Sequence, residues 1–186
     1  MFNLHLKELR QNKETIFHLS AFSPAGNAGD NLLVPALQTS ITNLRHINFI
    51  NKNCRRRLND DDIYLFNNSK GVIIGGGGLF LKDTNPNKIS GWQVPISIEQ
   101  INRIKVPISL VGVGYNRFRN QEDFDNCFYD NITALISKCT FAGIRNKGSI
   151  EALKQYLPKE LHGKLKFHPC ATSVLSRLYS FAPPPP

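Results

Sequence analysis

Short apolar runs alternate along this chain with longer segments in which apolar residues recur every three or four positions. The longer segments predict helices, and the bare runs predict strands buried on both faces, as in a parallel sheet. Strands are expected over residues 16–22, 47–50, 72–74, 108–111, 140–144 and 165–167. Helices are expected over 1–14, 32–44, 92–103, 120–137 and 150–156. In the second of these, Leu33, Ala36, Leu37 and Ile41 form the apolar face, and Pro35 falls in the first turn, where a proline is tolerated. In the fourth, Phe124, Phe128, Ile132 and Leu135 lie on one side. Strands and helices in alternation define an α/β fold: a Rossmann-like, mainly parallel sheet with helices on both faces.

One run stands apart. Gly71, Val72, Ile73 and Ile74 lead into four consecutive glycines, Gly75, Gly76, Gly77 and Gly78, before Leu79 and Phe80. A side-chain-free turn there permits positive φ and lets a ligand come close to the main chain. The expectation is therefore a strand that stops at a ligand-facing turn. Gly26, Gly112 with Gly114, Arg145 and His168 also fall just past predicted strand ends. In an open α/β sheet those ends share one rim, and ligands bind in the crevice there.

Length and charge narrow the picture further. The 186 residues suit one domain over 1–180, followed at 181–186 by Phe181, Ala182 and four prolines, a tail that forms neither helix nor central strand. The net charge of +9 favours an anionic partner. Its densest run, Arg55, Arg56 and Arg57, is met by Asp60, Asp61 and Asp62 and reads as a solvated connection. A basic-plus-aromatic nucleic-acid signature is missing, so no nucleic-acid partner is expected. No run of about 18 apolar residues suggests a transmembrane segment, and the polar start has no secretory apolar region, so a cytoplasmic location is expected. Cys54, Cys127, Cys139 and Cys170 lack metal-ligand spacing and read as free thiols, with no metal site.

Two familiar phosphate motifs fail. The spacing G-x-G-x-x-G would need glycine where Phe80 and Arg117 stand. The Walker pattern starting at Gly143 meets Ser149 where lysine belongs and Ile150 where Ser or Thr belongs. G-x-S-x-G and H-E-x-x-H are also missing. Taken in order, however, Gly26-Asn27-Ala28-Gly29-Asp30, the tetraglycine with Leu79-Phe80, Gly112-Val113-Gly114 and Ile144-Arg145-Asn146-Lys147-Gly148-Ser149 resemble the polysaccharide pyruvyl transferase family over about residues 16–175.

The resemblance implies one half of a glycosyltransferase-B-like fold, in which two Rossmann-like domains face a cleft. It also implies transfer of a pyruvyl group from phosphoenolpyruvate, with no further cofactor, onto a sugar of a surface polysaccharide, forming a ketal. The partners so implied are a small anionic donor and a glycan acceptor. The chain departs from the family pattern at Asn146, where aspartate is usual, and at His168-Pro169-Cys170, where Asp-Pro-Ala is usual. Family members carry further basic and histidine residues on a second domain, so this chain reads as the first domain, weakly active by itself. Two other readings stay open: a non-catalytic anion- or glycan-binding domain, and a sugar-nucleotide glycosyltransferase.

The donor's carboxylate and phosphate call for cations and backbone amides. Arg145 offers a planar fork for either anion, and Gly148 and Ser149 offer amides at a helix start. Gly26, Asn27, Gly29, the four glycines and Gly114 complete the expected binding surface. His168 suits a general acid or base, or else a satisfied histidine at a strand end. Asp30 binds acceptor hydroxyls or caps the helix at Leu32. Trp92 and Tyr115 stack on a sugar or, more simply, pack within the fold.

Overall fold

The computed structural model describes residues 2–11, 14–23 and 26–178, and the expected tail at 181–186 lies outside them. The order of elements is α1 (Phe2–Gln11), β1 (Thr15–Ser20), α2 (Ala28–Thr42), β2 (Asn48–Asn53), α3 (Asp60–Asn67), β3 (Gly71–Phe80), α4 (Ile98–Arg103), β4 (Ile108–Tyr115), α5 (Asn126–Lys138), β5 (Phe141–Ile144), α6 (Lys147–Lys154), β6 (Leu165–Phe167) and α7 (Leu175–Leu178). All six strands are parallel, in the order β2-β1-β3-β4-β5-β6. The α/β Rossmann-like expectation holds. The chain first steps from β1 to β2 and then crosses back past β1 to β3. The sheet's switch point therefore lies between β1 and β3, where such sheets form a crevice.

Both faces of the sheet are covered because parallel strands need helical crossovers. The larger core packs Phe17, Leu19, Ile74, Phe80 and Leu110 against side chains of α1, α3, α4, α5 and α6, among them Leu9, Phe66, Ile101, Phe128 and Leu153. Trp92 belongs to this core; its indole N–H donates to Asn131 Oδ1 (2.9 Å), so it packs rather than stacks on a ligand. Tyr115 also packs, against Phe124 and Tyr156. The opposite face is thinner. There Leu37 of α2 meets Ile73 and Val111, with Phe141 and Ala171 at its margin.

Several boundaries move for local reasons. α2 starts at Ala28, earlier than expected, because Asn27 caps it: its Oδ1 accepts the Gly29 amide (2.7 Å). Pro35 consequently stands mid-helix rather than in the first turn. The Asn31 carbonyl loses its helical partner there, on a side of α2 where Pro35 is exposed. The expected solvated connection after β2 contains a helix, α3, secured by a reciprocal capping box between Asn59 and Asp62. α4 is shorter than its expected helix at 92–103, since the segment from Trp92 to Pro95 runs as loop and Ser97 and Gln100 form the capping box. α5 begins only after its cap at Asp125.

The largest difference concerns the tetraglycine. It is no turn: β3 continues through all four glycines to Phe80, and β4 continues through Gly112 and Gly114 to Tyr115. Gly75 pairs with Val111 and Gly77 with Val113, before the register slips between Gly77 and Phe80. Gly76 and Gly77 take φ of +79° and +94°, which only glycine adopts without strain. β1 pairs with β3 only as far as Ile74, so the glycines overhang that neighbour and still reach the rim.

Candidate functional site

Each glycine of the tetraglycine is needed by the protein's own atoms. A β-carbon on Gly75 would overlap the Val111 carbonyl, on Gly76 the Leu33 side chain, and on Gly78 the Asn116 amide. On Gly77 it would stand 2.9 Å from Asp30 Oδ1. Gly75, Gly76 and Gly77 are buried, and only Gly78 is partly exposed. The run thus lets the first turns of α2 and the residue after β4 close down on the sheet. The ligand-facing turn expected from the sequence is replaced by a close-packed floor.

What the floor carries is a row of polar side chains. Asp30 lies over Gly77 and Asn116 over Gly78. The Arg145 guanidinium lies on Gly114, where a β-carbon would come within 2.6 Å of one of its nitrogens. His168 sits over Gly143 and beside Gly112, with its ring edge-on to Phe141. Val113 points into the larger core, so Gly114, its neighbour in the strand, faces the α2 side. Asp30, Arg145 and His168 are therefore brought to one side of one rim, above β3 to β6. Leu33, Gly76, Gly112, His168 and Ala171 close in there around a space too small for a water molecule.

Arg145 is the most pointed feature. It is only partly exposed, and its guanidinium makes no hydrogen bond or ion pair among the described residues. A half-buried cation without an internal counter-ion is stabilised by an external anion. His168 donates from Nδ1 to the Pro169 carbonyl (3.0 Å), which leaves Nε2 as the atom able to accept a proton.

Other expected anion contacts are occupied internally. The Ser149 amide donates to Asn146 Oδ1 (2.7 Å), and the Ser149 hydroxyl accepts the Tyr115 amide (3.0 Å). The Gly26 amide donates to the Ser23 carbonyl (2.8 Å), and that of Gly29 is held by the exposed Asn27. Gly148 remains exposed at the start of α6, where a β-carbon would meet only Asn146 Oδ1 at an ordinary contact distance of 3.5 Å. Asp30 does not cap α2, since Asn27 does; it stands in the first turn, aimed at Gly77.

The sequence reading overlooked His18. It is fully buried in β1, where Nε2–H donates to the Gly75 carbonyl (3.0 Å) and Nδ1 accepts from Gln38 Nε2 (3.1 Å). Gln38 also donates to Asn51 Oδ1 (2.6 Å), linking β1, α2 and β2 beneath the glycine floor. Burial lowers the His18 pKa to about 4 against the opposing pull of the Gly75 carbonyl, so the ring is neutral at physiological pH. A histidine inside the run Ile16-Phe17-His18-Leu19 was the available signal. Asn116 gave none, because only the fold places it over Gly78.

All four cysteines are unpaired. Burial pushes the Cys54 and Cys139 thiols up to about 12, so neither is a nucleophile at neutral pH. Among the described residues no group of three or more His, Cys, Asp or Glu side chains is placed to hold a metal ion, and no helix is long and apolar enough to cross a membrane. A family model described as polysaccharide pyruvyl transferase matches residues 27–186, which takes in the Asp30, tetraglycine, Gly114, Arg145 and His168 positions. No curated protein and no solved structure matches the chain.

Proposed function

We propose, because the chain belongs to the polysaccharide pyruvyl transferase family, that its rim binds phosphoenolpyruvate and passes the pyruvyl group to a sugar of a cell-surface polysaccharide. The observation that carries this reading is Arg145, a half-buried guanidinium lying flat on Gly114 with no counter-ion among the described residues. It supports binding of a small dianion through a planar fork.

The reaction needs few groups. The donor methylene takes a proton, a sugar hydroxyl adds to the carbon that bears the phosphate, and that carbon–oxygen bond breaks as phosphate leaves. A second hydroxyl of the sugar then closes the ketal. Of the two hydroxyl protons, one ends on the methyl group and the other on phosphate. His168 Nε2 suits the proton transfers and Asp30 suits an acceptor hydroxyl, each on the Arg145 side of the rim. These groups form one wall. In our reading a facing domain of the glycosyltransferase-B type excludes water and completes the set, and the protein works in the cytoplasm, where phosphoenolpyruvate is available.

The test is a thermal-shift panel of phosphoenolpyruvate, a UDP-sugar and a neutral oligosaccharide on the full chain and on Arg145→Ala. Stabilisation by phosphoenolpyruvate, lost in Arg145→Ala and kept in the exposed Arg56→Ala, is the expected result. Stabilisation by the UDP-sugar alone rejects the pyruvyl reading in favour of a sugar-nucleotide enzyme. Response to the oligosaccharide alone rejects it in favour of a binding domain.

A further inference from the structure

A second cationic site lies at the other end of the rim. In sequence, Arg55, Arg56 and Arg57 sit close to three aspartates, yet folding separates the charges. Asp62 turns inward to Lys52, and Asp60 pairs with Arg103 (2.7 Å). Neither reaches an arginine of the run. Between the loops after β2 and β3 runs a groove of about 470 Å³, with Arg55, Arg57 and Lys88 on its walls beside Asn85 and Asn87, and no carboxylate lines it.

The groove is braced rather than loose. Arg55 Nε donates to Gln93 Oε1 (3.0 Å), which also accepts from Thr84 Oγ1 (2.7 Å). Asn85 Nδ2 ties the two loops by donating to the carbonyls of Arg55 (3.1 Å) and Gln93 (2.8 Å). Asn87 Oδ1 accepts the amides of Ile89 (3.1 Å) and Ser90 (2.9 Å), which fixes the turn that carries Lys88. Arg57 and Lys88 themselves make no hydrogen bond or ion pair with their side chains among the described residues. Like charges around one cleft repel one another, and a multiply charged anion relieves that repulsion.

We propose that this groove binds a polyanionic glycan through phosphate or carboxylate groups carried along the chain. β2 and β5 stand four strand intervals apart, roughly 20 Å at the usual spacing. A donor the size of phosphoenolpyruvate cannot reach from Arg145 to the arginines that follow β2, whereas an oligomer can. The glycan nature of the ligand rests on the function proposed above; the anion site itself does not.

The test measures binding to the full chain by calorimetry, using a poly(glycerol phosphate) oligomer, a polyuronate oligomer, a neutral dextran oligomer, an oligonucleotide and vesicles of anionic phospholipid. The first two should bind, and Arg57→Ala with Lys88→Ala should weaken them by about tenfold or more. The same double variant should keep phosphoenolpyruvate binding intact, so loss of one site is separable from loss of the other. A control pair, Arg45→Ala with Lys105→Ala, removes the same charge from exposed positions elsewhere. Equal weakening by the control pair overturns the proposal, as does lack of binding by the unmodified chain. Tighter binding of the oligonucleotide, or binding to vesicles alone, overturns the glycan assignment.

Discussion

The buried histidine beneath the glycine floor makes acid stability a direct test of the structure. In the folded chain His18 titrates at about 4, against 6.5 for an ordinary histidine. Its folded pKa is depressed and the neutral ring is the buried form. The unfolded chain therefore binds a proton as pH falls through 6.5, while the folded chain does not until about 4. Stability is complete above that upper value and is lost progressively down to the lower one. Integrating the difference gives roughly 2 to 3 kcal/mol between pH 7.5 and 4.5. His18→Gln removes the titration while keeping an N–H able to reach the Gly75 carbonyl. Urea unfolding of both proteins at the two pH values isolates the histidine from the carboxylates they share. The unmodified chain should lose roughly 2 kcal/mol more than His18→Gln over that interval. Parallel losses would mean that His18 is not held neutral by burial, and the network of His18, Gln38 and Gly75 would have to be abandoned.

Other outcomes follow from the same packing. Gly76→Ala forces a side chain onto φ +79° and into Leu33, and should cost about 2 to 5 kcal/mol in denaturant unfolding. Gly148→Ala, whose added methyl would make only an ordinary contact with Asn146 Oδ1 in the first turn of α6, should be neutral or stabilising by up to about 1 kcal/mol in the same assay. Asp62→Ala leaves the largely buried Lys52 ammonium without its partner and strips the Asn59 amide of its acceptor. A loss of about 3 to 5 kcal/mol is expected, read from thermal melts as a matching fall in melting temperature.

Much of this protein is written locally. The alternation of apolar runs with helix-period segments determined six parallel strands, because each buried strand must be β-rich and each crossover must be helical. The ordered motifs at Asp30, the tetraglycine, Gly114 and Arg145 pointed to the correct family, since each lies close to a strand end along the chain. The tertiary structure decided what the glycines are for. Whether four glycines make a turn or a floor depends on Leu33, Asp30, Val111 and Asn116, which approach them only after α2 and β4 have packed. Arg145 is a candidate site because Gly114 of the neighbouring strand gives it a seat and no carboxylate pairs with it among the described residues, a fact about absent neighbours that spacing cannot express. The charge run after β2 shows the same limit. In sequence, Asp60 and Asp62 neutralise the arginines; in space, Asp62 is held by its cap and the largely buried Lys52, and Asp60 pairs with Arg103 at the surface.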